Sequence, residues 1–253
     1  MLRSVKEMEG FRIKAIDGEI GKLHEFYFDD HTWIIRYIIV DTGSWLAEKL
    51  VLVSPESFKS LDWDKRIFEV NLDKQQIEDS PDIDRERPVS RQKETELIGY
   101  YGWPMYWTGI GGPTIGAFPP ANAAITKTEE EILEMRRKEG QDDPNLRSTR
   151  TVISYGIHAN DGHIGHVEDF LADDESWNIR YLIVDTKNLL PGKKVITALD
   201  WIEKIVWSES DVYLKLTKEE IKNSPEYDPS ETVGRDYENK IHEYYGKKKY
   251  WEK

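Results

Sequence analysis

The 253-residue chain contains no cysteine. That excludes a disulfide framework, a thiolate nucleophile, a cysteine-ligated zinc site and an iron–sulfur cluster. Basic residues are in deficit: 35 Lys+Arg stand against 48 Asp+Glu, a net charge of −13. Binding a phosphate backbone needs a basic footprint, so direct nucleic-acid binding is not expected. Long hydrophobic runs are missing as well. The purely apolar runs extend only a few residues, as in Ile38-Ile39-Val40, far short of the ~20 needed to span a bilayer. Met1 to Glu9 lacks the apolar stretch of a secretory signal, and there is no cysteine to carry a lipid. These absences lead us to expect a cytoplasmic protein with no transmembrane segment. Catalytic signatures are absent too: there is no GxSxG, HExxH or Walker A motif, and no GxGxxG between a strand and a helix. No enzymatic activity, cofactor or metal is expected.

What the chain does have is aromatics and a repeat. Nine Trp, thirteen Tyr and seven Phe suit a folded protein and not a disordered acidic chain. Asp17-Gly18-Glu19-Ile20-Gly21 recurs as Asp161-Gly162-His163-Ile164-Gly165, at an offset of 144. The segment Trp33 to Thr42 recurs as Trp177 to Thr186, and over residues 17–42 the offset gives 15 identities in 26 positions. The same offset pairs Leu2-Arg3-Ser4 with Leu146-Arg147-Ser148 and Tyr100-Tyr101-Gly102 with Tyr244-Tyr245-Gly246. The chain is therefore a tandem duplication of a unit of about 107 residues. The expected organisation is copy 1 over residues 1–107, a linker over 108–144 and copy 2 over 145–253. The linker's Gly109-Ile110-Gly111-Gly112-Pro113 is loop chemistry, and a short helix is expected from Thr128 to Glu139. Net charge is −6, −3 and −4 over 1–108, 109–144 and 145–253, so the acidity is spread out and forms no tail.

Each copy reads as short strands followed by helices. Strands are expected at Phe11–Ile16, Ile20–Phe28, Trp33–Asp41, Lys49–Val53 (Lys193–Thr197 in copy 2), Phe58–Trp63 and Arg66–Leu72, separated by turn signals such as Asp17-Gly18. Asp73 caps a short helix that Pro81 ends. A second helix is expected over Ser90–Tyr101 and over Thr232–Tyr245. The fold class is mainly β, with a small barrel or sandwich in each of two tandem copies, each carrying short C-terminal helices.

The pattern Asp-Gly-x-Ile-Gly, Asp-Asp, Trp-x-Ile-Arg-Tyr-x-Ile-Val-Asp-Thr and a later Ser-Pro resembles the PRC-barrel family over residues 10–81 and 154–225. That family includes the cytoplasmic domain of the photosynthetic reaction-centre H subunit and the C-terminal barrel of a ribosome maturation factor. The resemblance implies small antiparallel barrels that bind other proteins without general catalytic activity. It marks Asp17, Gly18, Gly21, Arg36 and Asp41, with Asp161, Gly162, Gly165, Arg180 and Asp185, as the structural family motif. Neither relative's specific role is expected to transfer, because no membrane helix and no separate domain stand before residue 10. Two alternatives remain: a soluble subunit docked on a membrane electron-transfer complex, and a ribosome-maturation accessory factor.

Individual candidates each have a structural explanation. Gly18, Gly21, Gly162 and Gly165 read as turn and bulge positions. Arg36 and Arg180, in apolar strands, read as internal ion-pair partners of Asp41 and Asp185 or of Asp29-Asp30 and Asp173-Asp174. The acidic pairs themselves read as turn caps. His158, His163, His166 and Glu168 form the only histidine cluster, but copy 1 has Lys14, Glu19, Lys22 and His24 there, so the cluster reads as solvated. The aromatic ends Tyr100, Tyr101, Trp103, Tyr106 and Trp107 are expected to fold back onto the sheet, but Trp103, beside Pro104 and with no tryptophan counterpart (copy 2 has Lys247), is also a candidate exposed partner anchor. With Tyr106, Trp107, Tyr250 and Trp251 it makes the candidate partner-binding set. The expected partner is another protein. Pairing of the two copies within the chain is the expected form of assembly, with homo-oligomerisation as a second option.

Overall fold

The computed structural model describes residues 1–46, 49–81, 83, 89, 91–106, 146–187 and 192–252. The linker 108–144, its helix and Trp107 lie outside the described residues. The protein is mainly β, with two seven-stranded sheets and a few short helices. In copy 1 the elements are β1 (Leu2–Ser4), α1 (Val5–Met8), β2 (Arg12–Ala15), β3 (Gly18–Asp29), β4 (Ile34–Asp41), β5 (Leu50–Val53), β6 (Phe58–Asp62), β7 (Ile67–Val70), α2 (Lys74–Glu78) and α3 (Arg91–Tyr101). Copy 2 repeats them as β8 (Leu146–Ser148), α4 (Thr149–Val152), β9 (Gly156–Ala159), β10 (Gly162–Asp173), β11 (Ile179–Asp185), β12 (Lys194–Ala198), β13 (Ile202–Val206), β14 (Asp211–Leu214), α5 (Lys218–Asn223) and α6 (Arg235–Tyr244).

Period-two patterning builds these strands. In β2, Ile13 and Ala15 are buried while Arg12 and Lys14 face water. In β5 all four residues, Leu-Val-Leu-Val, are buried, as befits a strand covered on both faces. Strand order is β5-β4-β3-β2-β7-β6 in one sheet and β12-β11-β10-β9-β14-β13 in the other. The sheets are mixed and not purely antiparallel, because β2 runs parallel to β7 and β9 parallel to β14. The reason lies between β5 and β6. No hairpin joins them; the chain turns a corner through one 3-10 turn, Pro55–Ser57, capped by Ser54. Copy 2 does the same at Leu199–Trp201. A corner in place of a reversal shifts the up-down alternation by one, so the last strand returns parallel to the first. Among the described residues no ladder joins β5 to β6 or β12 to β13, so each strand path is open where a closed antiparallel barrel was expected.

The residues fall into two compact units. The first comprises Met1–Phe11, Leu23–Ile39 and Arg147–Lys253; the second comprises Arg12–Lys22 and Val40–Leu146. The first has its core around Phe26, Phe28, Phe170, Tyr181, Val184 and Leu214. The second is centred on Ile13, Val51, Val53, Phe68, Ile77 and Leu97. In the second unit the Asp17 carboxylate accepts the backbone N–H of Lys74 at 3.0 Å, tying the β2–β3 turn to the start of α2. In the first unit Asp161 accepts from Lys218 at 2.9 Å in the same way. Each helix also carries a capping box, Asp73 with Gln76 and Thr217 with Glu220.

Candidate functional site

The repeat segments meet in the first unit through exchanged strands. β1, from copy 1, pairs antiparallel with β10 of copy 2, in the register Leu2↔Asp173, Arg3↔Ala172 and Ser4↔Leu171. β8, from copy 2, pairs with β3 of copy 1. Side chains mark both exchanges symmetrically. Arg3 Nε donates to Asp174 at 3.1 Å, and Arg147 Nε donates to Asp30 at 2.8 Å. The Ser4 hydroxyl donates to Asp169, and the Ser148 hydroxyl donates to Glu25. The two serines also cap the one-turn helices that follow, accepting from Glu7 and Thr151.

Between the exchanges lie the two turn tryptophans. Trp33 and Trp177 have φ of +57° and +55°, a left-handed conformation that is unusual for a bulky residue. The strain is held by reciprocal main-chain bonds: Ile35 N–H donates to Trp177 O at 2.9 Å, and Ile179 N–H donates to Trp33 O at 2.8 Å. An isolated antiparallel bridge, Ile34↔Asn178, continues the pairing. The rings fill the space above it. Trp33 stacks on Phe28 at 5.1 Å, Trp177 lies on Phe26 at 6.2 Å, and Phe28 meets Phe170 at 5.7 Å.

The two exchanges differ electrostatically. Burial pushes the Asp169 carboxyl up to about 6, against the Ser4 hydroxyl and the N–H groups of Lys6 and Phe170, which favour the anion. Its counterpart Glu25 is more accessible. The Phe26 N–H bonds instead to Thr149 Oγ1, at 3.2 Å, where copy 1 has Val5.

The motif residues are absorbed by the scaffold. Gly21 has φ +155°, and a Cβ there would lie 2.2 Å from Asp41 O; at Gly165 it would lie 1.8 Å from Asp185 O. Only glycine allows these strands to approach, and each glycine sits at or beside a register shift against the preceding strand. Asp41 Oδ1 accepts the Gly43 N–H at 2.9 Å. Arg36 reaches Thr32 Oγ1 at 3.2 Å and Asp29 at 4.0 Å. Arg180 takes another partner: its guanidinium lies 4.5 Å from the ring centre of Tyr250.

The candidate partner-binding aromatics fold back onto their own sheets. Trp103 is buried, which agrees with the fold-back reading of the aromatic ends and rules out its alternative role as an exposed anchor. It stacks on Tyr101 at 4.3 Å and donates its Nε1–H to Ser57 at 2.8 Å. Tyr106 donates to the buried Glu94 at 2.8 Å. Tyr250 donates to Glu238 at 2.9 Å, while Trp251 lies beneath the Arg235 guanidinium at 4.1 Å. Glu238 also accepts from Tyr181, whose hydroxyl meets His242 Nε2; both distances are 3.0 Å. Burial lowers the affinity of His242 for a proton and raises the Tyr181 hydroxyl, the latter reinforced by Glu238. Sequence reasoning missed Tyr100 and Tyr244, repeat-equivalent aromatics that remain 42% and 40% exposed. Their hydroxyls donate to Gln76 O and Glu220 O, each at 2.8 Å. Equivalent positions in both copies were the available signal.

The histidine cluster divides. His158 pairs with Asp211 at 3.0 Å, stacks on Tyr213, and lies 5.0 Å from His163 between ring centres. His166 turns to a different place, 3.6 Å from Glu168. No described helix is long and apolar enough to cross a membrane. Compared with protein-family models and with curated proteins, the chain matches none.

Proposed function

We propose that the protein is a non-catalytic interaction scaffold made of two PRC-barrel-like repeats, and that its ligand is another protein. The observation that carries this reading is the reciprocal strand exchange, which ties segments of both repeats into a single unit. The fate of the motif residues supports it. Asp17, Asp161, Gly21, Gly165 and Arg36 serve turns, helix starts and strand approach, which is how a scaffold uses its repeated positions. The exposed pair Tyr100 and Tyr244 adds two amphipathic aromatics of the kind enriched in protein interfaces.

The test is in-cell crosslinking followed by affinity capture of the full chain and mass spectrometry. The expected result is one protein recovered in a fixed ratio to the chain. Recovery of a membrane redox protein would replace the general scaffold reading with the electron-transfer alternative. Recovery of ribosomal proteins would replace it with the maturation alternative. A chain that crosslinks to nothing and sediments alone under all growth conditions overturns all three.

A further inference from the structure

We propose that His166, Glu168 and Asp185 form a divalent transition-metal site present in copy 2 alone. The three side chains each offer one ligand atom, and these atoms lie within 4.8 Å of one another. Binding at metal–ligand lengths of roughly 2.0–2.2 Å would draw them in by small side-chain rotations. One imidazole nitrogen and two carboxylates leave a fourth position for water, and this donor set suits zinc and its neighbours better than magnesium.

The fold places the ligands. His166 and Asp185 are direct partners in the β10–β11 ladder, and Glu168 follows His166 by two residues on the same strand. A register shift between Val167 and Asp169 re-aims this stretch. Asp185 is 6% exposed, and its backbone is pressed against Gly165, where no side chain fits. One ligand is thus rigidly held while the other two stand half-buried at the rim.

Three ammonium groups now balance the carboxylates. Lys6 and Lys194 share Glu168 Oε1 at 3.2 and 3.0 Å, and Lys187 holds Asp185 Oδ2 at 3.0 Å. Glu168 Oε2 is the oxygen facing His166. A metal would enter on that side and release the lysines, of which Lys6 and Lys187 are already well exposed. Their competition sets a modest affinity. Copy 1 lacks the set: Lys22, His24 and Asp41 occupy the equivalent positions, and His24 Nε2 lies 3.0 Å from the Arg150 guanidinium.

The experiment is calorimetric titration of the untagged, chelator-treated full chain with zinc chloride, and with magnesium chloride for comparison. One equivalent of zinc and no magnesium should bind. His166→Lys installs the residue copy 1 already carries there, and should weaken zinc by at least about tenfold with an unchanged circular dichroism spectrum. His166→Gln gives the same readout without adding charge. The double variant His158→Asn/His163→Asn should bind as the wild type does. No zinc binding by the wild type, binding as tight as the wild type by both His166 variants, or loss that follows His158 and His163 instead would each overturn the site.

Discussion

Tyr101 and Tyr245 occupy the same place in the two copies, and each packs against an indole, but the indole arrives from opposite directions along the chain. In copy 1 it is Trp103, two residues downstream, with Ser57 accepting its N–H. In copy 2 it is Trp201, at the position equivalent to Ser57, with ring centres 4.7 Å apart; Lys247 stands where Trp103 would be. The duplicated fold keeps the packed volume over the tyrosine and not the residue that supplies it. The indole can be supplied from either of two positions, since cores respond to the volume and shape that fill a site.

The largest effect should come where the copies agree. Gly165→Ala and Gly21→Ala each place a methyl against a strand carbonyl. Each should cost about 4 kcal/mol or more, seen in calorimetry as a drop of at least about 10 °C in Tm. A shift of a degree or two would show that the two strands separate easily there, and the shared glycine rule would fall.

The tryptophan exchange comes next. Trp201→Ser alone should cost about 3–5 kcal/mol by emptying a core position. Adding Lys247→Trp restores the copy 1 arrangement and should recover at least about 1 kcal/mol of that. Denaturant unfolding of the single and double variants measures the coupling; strictly additive costs would mean that the two positions do not trade.

A smaller contrast lies in the exchanged strands. Ser4→Ala leaves the buried Asp169 without its hydroxyl donor and should cost about 1–3 kcal/mol. Ser148→Ala faces the more accessible Glu25, where water substitutes, and should cost about 1 kcal/mol or less. Equal costs for the two variants would erase the electrostatic difference between the exchanges.

The smallest effect is a pH dependence confined to copy 2. His242 binds its proton less readily folded than unfolded because it is buried. At this position the unfolded chain therefore takes up more protons as pH falls below about 6.5, so His242 subtracts stability in that window, while Asp169, with its carboxyl pushed up to about 6, adds stability as pH falls through the same range. Copy 1 has Ile98 at this position. His242→Ile should raise the Tm at pH 5 relative to that at pH 7 when compared with the wild type, whatever the sign of the net slope that Asp169 also shapes; an unchanged difference would show that His242 contributes nothing.

Much of the fold was legible because period-two patterning, turn dipeptides and a fixed offset all act locally. The strands expected at Ile20–Phe28 and Trp33–Asp41 fall within a residue or two of β3 and β4, and the glycine bulges follow from residue type. β1 and β8 were not legible. Three residues carry no period, and the partner of Ser4, Leu171, is far along the chain. The parallel β2–β7 ladder was hidden for a related reason: it depends on whether Pro55–Ser57 makes a reversal or a corner, and composition does not distinguish the two. Site residues were legible where the partner is near in sequence, as for Arg36 with Thr32 and Asp29. They were not where the neighbour comes from a distant turn, as for Trp103 with Ser57 or His166 with Asp185.

The exchanged strands also set a clock for synthesis. Residues 2–4 leave the ribosome early, yet their ladder partners are residues 171–173. At about 5–20 residues per second, the β1 segment waits on the order of ten to thirty seconds for its edge to exist. The β3 edge likewise stands open until Leu146–Ser148 has been made. During that interval an unfinished chain offers a neighbour on the same messenger the strand edge that its own second repeat will later fill.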